Sequence, residues 1–150
     1  MISAEFRGAV QFYKKKKYME AISLFDEVLN ANPNDRIAFQ YAHQSHFDHA
    51  MLLFEERDYL SAMDQFEANL RYKEDCYAYI EKSEKLFKEM HYKKGIEFFE
   101  KEQLIESITE WKLVSALDLK YRRVDYLINK AKTILKNVKK LKESQIERSK

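Results

Sequence analysis

The chain has 150 residues, 35% charged and 45% hydrophobic, with a formal net charge of +2, two glycines and one proline. That length fits one domain able to bury a core without disulfides, and so little Gly and Pro excludes the tight hairpin turns of an all-β fold. The lone cysteine, Cys76, excludes an intramolecular disulfide and a cysteine metal cluster, and reads as a small helix side chain.

No apolar run approaches the roughly 20 residues needed to span a bilayer. In MISAEFRGAVQFYKKKK the lysines follow the apolar part and no small-residue cleavage site comes after, which is not the order of a signal peptide. The expectation is a soluble protein whose compartment the sequence leaves open: cytoplasmic, or periplasmic if the chain is an excised mature segment. Charge is unevenly spread: residues 1–119 carry 16 Lys/Arg against 22 Asp/Glu, a balance of −6. Residues 120–150 carry 11 against 3, a balance of +8.

Apolar periodicity predicts seven helices, near 2–16, 18–31, 35–57, 59–73, 75–101, 103–119 and 121–147. In the second, Tyr18, Ala21, Ile22, Phe25, Val28 and Leu29 recur at helical spacing, and Asn32-Pro33 ends it. Lys14 to Lys17 fall at the turn before it, where solvated charge is ordinary. Asp35 and Asp58 stand at N-cap positions of the third and fourth helices. In the last helix Val124, Leu127, Ala131, Ile134, Val138 and Leu141 alternate spacings of 3 and 4, a heptad-like seam. That seam suits a cap over the preceding helices, or a coiled-coil contact for the part beyond Ile134.

The chain repeats itself. FRGAVQFYKKKKYMEAISLFDEVL from Phe6, FDHAMLLFEERDYLSAMDQFEANL from Phe47 and YKKGIEFFEKEQLIESITEWKLVS from Tyr92 align without gaps. Small residues coincide at Ala9, Ala50 and Gly95, and again at Ala21, Ala62 and Ser107. Large apolar residues coincide at Phe12, Leu53 and Phe98, then at Phe25, Phe66 and Trp111. Each copy is a helix pair broken near Lys17, Asp58 and Glu102. The small residues allow close approach of the two helices, and the aromatic one turn later wedges against the next helix.

This pattern resembles the tetratricopeptide (TPR) repeat. The first copy holds Ala9, Phe12, Ala21, Phe25 and Pro33 in place; the second and third lack the proline, and Val28, Asn69 and Val114 replace the family's late small residue. The intervals Ala21 to Ala62 and Ala62 to Ser107 are 41 and 45 residues, against the family's 34. The surplus is close to two and three helical turns, which lengthens the first helices of units two and three through RIAFQYAHQSHF and CYAYIEKSEKLF while keeping faces in phase. The resemblance implies an all-α fold of antiparallel helix-pair repeats, a TPR-like α-solenoid. Residues 1–119 hold three units (about 3–34, 35–74 and 75–119), and 120–150 form a basic C-terminal capping or coiled-coil-like helix.

Signatures of chemistry are missing: no Gly-rich phosphate loop, no nucleophile elbow and no zinc-protease histidine pair occurs in the sequence. His43, His46 and His49 share one helix but read as partly buried structural histidines, not metal ligands. The expectation is a non-enzymatic chain with no cofactor and no metal. The acidic repeat body argues against nucleic-acid binding, and the apolar face of the last helix lacks the Trp and Phe of a membrane-surface helix.

The TPR resemblance further implies a concave groove lined by the first helices, binding a partner peptide or helix. Carried over residue by residue, its exposed face holds Phe6, Val10 and Tyr13, then Phe47, Met51 and Phe54, then Tyr92, Ile96 and Phe99. The expected function is a protein–protein interaction scaffold, with self-association through residues 121–147 as a further contact. Two alternatives stand beside it: a structural subunit of a larger bacterial envelope or flagellar assembly using the C-terminal helix and outer faces, and an RNA-binding helical repeat.

Overall fold

The computed structural model describes residues 3–70 and 73–150. The fold is all-α, with helices packed in adjacent pairs and no strand among the described residues. The helices are α1 (Ala4–Lys14), α2 (Tyr18–Ala31), α3 (Arg36–Glu55), α4 (Tyr59–Ala68), α5 (Asp75–Glu100), α6 (Leu104–Leu117) and α7 (Val124–Arg148), with a 3₁₀ turn at Tyr121–Arg123. By contacts the chain forms two compact units, residues 1–84 and 85–150, so the division falls inside α5.

Helix starts follow cap chemistry. The Asp35 carboxylate accepts from the amides of Ile37 and Ala38 at 3.1 and 3.0 Å, and Asp58 accepts from Ser61 at 3.3 Å. Both satisfy amides that have no intrahelical partner. The long first helices are present: α3 has 20 residues and α5 has 26. The fourth helix stops at Ala68, short of the expected 73; of that tail, residues 71 and 72 lie outside the described residues, as does Ile2 at the expected start of the first helix.

The three breaks inside the pairs share one geometry. Lys16, Arg57 and Glu102 have φ of 60°, 65° and 61°, the left-handed region usually given to glycine. Each donates its amide to a carbonyl three residues back (Tyr13, Phe54, Phe99) at 2.9 to 3.0 Å. The next amide (Lys17, Asp58, Gln103) reaches the carbonyl of Phe12, Leu53 or Phe98 at 2.9 Å. This is the Schellman arrangement, which satisfies orphan carbonyls at a helix end. The third break falls at the expected Glu102, and Gln103 stands at the N-cap of α6.

Packing follows the repeat positions. In the first unit Ala9, Ala21 and Phe25, and Ala50, Ala62 and Phe66, are all 0% exposed. Cys76 is buried in the second of these clusters. In the second unit Gly95, Ser107 and Trp111 are buried at the matching places, with Val114, Val124, Ile128 and Ala131 around them. The polar atoms there are paired: the Ser107 hydroxyl donates to the Gly95 carbonyl at 3.0 Å, and Trp111 Nε1 donates to the Tyr92 carbonyl at 3.2 Å.

Val124, Leu127 and Ala131 of the expected α7 seam pack on the second unit, and Ile128 and Leu135 join them. Val124, Ile128 and Ala131 are buried, and Leu127 and Leu135 pack beside them, whereas Val138 and Leu141 are exposed. The 4-3-4 stripe of Val124, Ile128, Ala131 and Leu135 faces α6, which at 14 residues is far shorter than the 25 of α7. Beyond Leu135, Val138 and Lys142 line an open groove beside Leu104 and Ile105 at the start of α6.

Candidate interaction surface

The first unit holds the same aromatic cluster twice. Around buried Phe25, Phe6 meets the ring edge-on at 5.8 Å and Tyr41 stacks on it at 5.4 Å. Around buried Phe66, Phe47 lies edge-on at 5.8 Å and Tyr79 stacks at 5.1 Å. Tyr13 joins the first cluster through Tyr18 and Tyr41, both at 5.8 Å, and Phe54 joins the second through Tyr59 at 5.5 Å and Tyr79 at 5.9 Å. Edge and offset geometries of this kind add to the area term. Each cluster is closed by a tyrosine from the N-terminal half of the following helix, Tyr41 from α3 and Tyr79 from α5.

The nine residues expected on the exposed face of the groove are therefore half-buried. Phe6, Val10 and Tyr13 pack on the first cluster, and Phe47, Met51 and Phe54 on the second. In the second unit Tyr92, Ile96 and Phe99 pack around Trp111, with Phe99 and Trp111 centred 5.7 Å apart. Each of the nine carries core contacts and retains a partial open surface.

Cations cover several of these rings. Lys73 Nζ lies 3.9 Å from the centre of Phe47, and Lys82 Nζ 5.6 Å from that of Phe54. In the second unit Arg122 stands 5.5 Å over Tyr92, and Lys130 Nζ 5.6 Å over Phe99. An ammonium or guanidinium above a ring is held by the ring quadrupole, at about 0.5–1 kcal/mol at exposed sites. Arg122 also lies 5.2 Å over Tyr121, which ties down the turn where Arg122 and Arg123 both have positive φ.

Polar groups mark the surface between α1 and α3. Tyr13 donates its hydroxyl to Asp48 Oδ2 at 2.6 Å, and Gln44 Nε2 donates to Asp48 Oδ1 at 2.9 Å. Burial and that carboxylate hold the Tyr13 phenol far above its ordinary range. An open pocket of about 600 Å³ is lined there by Tyr13, Phe39, Tyr41, His43, Phe47 and Lys73, among others.

The histidines of α3 are half-buried, and burial lowers the pKa of His43 and His49. Nδ1 of His46 is buried with no hydrogen-bond partner among the described residues. No group of three or more His, Cys, Asp or Glu is placed to hold a metal ion among the described residues. In the second unit His91 Nδ1 pairs with Glu110, and Lys88 pairs with Asp118 at 3.3 Å.

No family model, curated protein or solved structure matches this chain.

Sequence reasoning missed Tyr41 and Tyr79 and the cations Lys73, Lys82, Arg122 and Lys130. The tyrosines carried a signal, since each lies in a segment that lengthens a first helix. The cations carried none, because lysine and arginine are scattered throughout the chain.

Proposed function

We propose that this chain is a non-enzymatic, TPR-like protein–protein interaction scaffold that binds a peptide or helix of a partner along the first-helix faces. The observation carrying this reading is the recurrence, at matched positions of the second and third copies, of half-buried aromatics under Lys or Arg: Phe47 and Tyr92, then Phe54 and Phe99. Such rings bury their remaining area only when a ligand arrives, and aromatic and Arg side chains dominate binding energy at interfaces. The cations favour a ligand that presents carboxylates beside apolar anchors. A second reading, a structural subunit of a larger bacterial envelope or flagellar assembly, is favoured by the exposed Leu141 and Ile146 at the far end of α7.

The test is affinity capture from source cells, followed by binding curves with the purified partner. Lys73→Glu combined with Lys82→Glu reverses the charge over Phe47 and Phe54 and leaves the rings in place. Loss of binding with unchanged helicity supports the first-helix face. Unchanged binding moves the partner surface elsewhere.

A further inference from the structure

Two apolar surfaces are left uncovered, one on each compact unit, and their charges are opposite. On the second unit the far half of α7 is open: Val138, Leu141 and Ile146 are 38%, 65% and 59% exposed, and Ile134 and Val138 line an open groove beside Leu104 and Ile105 of α6. Ile134, Val138 and Leu141, spaced by 4 and 3, share one side of the helix. Residues 130–150 carry eight Lys/Arg against two Glu. On the first unit an open groove of about 660 Å³ is lined by Phe6, Val28, Ile37 and Tyr41 together with Glu5 and Glu27. Asp35 also lines it, and no Lys or Arg does among the described residues. Ile37 is 60% exposed at that groove.

We propose that the C-terminal half of α7 from one copy docks into the α1–α2–α3 groove of a second copy, a head-to-tail self-association. It stands independently of the partner surface proposed above. Helix-in-groove recognition uses apolar anchors at i, i+3, i+4 and i+7, the spacing of Ile134, Val138 and Leu141. The carboxylates around the groove complement the basic flanks of that helix, which steers encounter and fixes orientation. Pairing α7 with α7 would instead set two strongly basic segments against each other. A flat bilayer cannot enter a groove, and the narrow apolar side of α7 beyond Leu135 has no Trp or Phe. Because the two surfaces differ, the contact is heterologous, and the copies either close on one another or continue as an open chain.

Sedimentation of the full chain over a range of concentrations and salt tests this. The expected result is a mass that rises with concentration above that of the monomer and falls as salt is added. Leu141→Asp with Lys142→Glu spoils the helix, and Glu5→Lys with Glu27→Lys spoils the groove; all four positions are exposed, so helicity should persist. Each double variant should weaken self-association at least about tenfold. Mixed together, the two variants still share one intact helix and one intact groove, so they should form a 1:1 dimer that grows no further. A wild type that stays monomeric, a mixture that does not dimerise, or a groove variant that associates like wild type would each overturn the proposal. The last of these would point to an α7–α7 contact.

Discussion

Trp111 lies against Gly95 so closely that a methyl group on Gly95 would stand 2.1 Å from the indole nitrogen. The same indole donates to the carbonyl of Tyr92, one helical turn before the glycine on α5. Glycine at this repeat position, where the other copies have alanine, is what the larger wedge requires: Trp in place of Phe takes up the space of the missing methyl.

Gly95→Ala should therefore cost about 1–3 kcal/mol, by forcing the indole out of its place or the helices apart. Gly8→Ala should do the opposite, because its methyl would meet only Leu24 Cδ1 at 3.4 Å. Alanine there gains helix propensity, stabilising by about 0.5–1 kcal/mol. Chemical denaturation of both variants gives the two signs. Equal effects would contradict the α5–α6 packing described here.

The left-handed residues at the three breaks make a second prediction. Arg57 bears a Cβ in a conformation that penalises one. Arg57→Gly should be neutral to stabilising, by up to about 1 kcal/mol. Glu55→Gly, inside the last turn of α3, should cost about 1 kcal/mol. Unfolding midpoints in urea distinguish them, and a destabilised Arg57→Gly would mean that the turn is held by the arginine side chain.

Burial lowers the pKa of both His43 and His49. The sign follows: with the native pKa below the unfolded value of about 6.5, the unfolded chain takes up protons first as pH falls. Stability from this source is whole above about pH 6.5 and is lost as pH falls toward the lowered native values. His43→Gln with His49→Gln should flatten the decline in unfolding midpoint between about pH 7.5 and about pH 5.5, where ordinary carboxylates stay ionised. A decline of the same steepness in the double variant would place its origin in other groups.

The fold was legible where packing enforces periodicity. Ala9, Ala50 and Gly95, and Phe25, Phe66 and Trp111, repeat in sequence because helix pairs at one separation admit only small residues opposite a wedge. Asp35 and Asp58 were legible as caps for a local reason, the unsatisfied amides of a helix start. The candidate surface was less so. Tyr41 follows Phe25 by 16 residues and Tyr79 follows Phe66 by 13, so no fixed register marks them as the closing rings. Exposure of Phe47 or Tyr13 depends on those tyrosines, and the lysines over the rings come from other helices or connecting segments. The widening of the α7 seam to Ile128 and Leu135 had a similar cause: both 3-4 stripes are apolar, and contact with α5 and α6 decides what packs.

The rings themselves give the most direct measurement. For Phe47→Ser with Phe99→Ser, and for Phe25→Ala alone, thermal unfolding and binding to the captured partner are recorded side by side. Phe25 is 0% exposed, and its loss should cost about 3–5 kcal/mol. The half-buried pair should cost about 1.5–3 kcal/mol per ring at most and should abolish partner binding while the chain is still folded. Folded Phe47→Ser/Phe99→Ser protein that binds its partner as tightly as wild type would show that these aromatics serve the core alone.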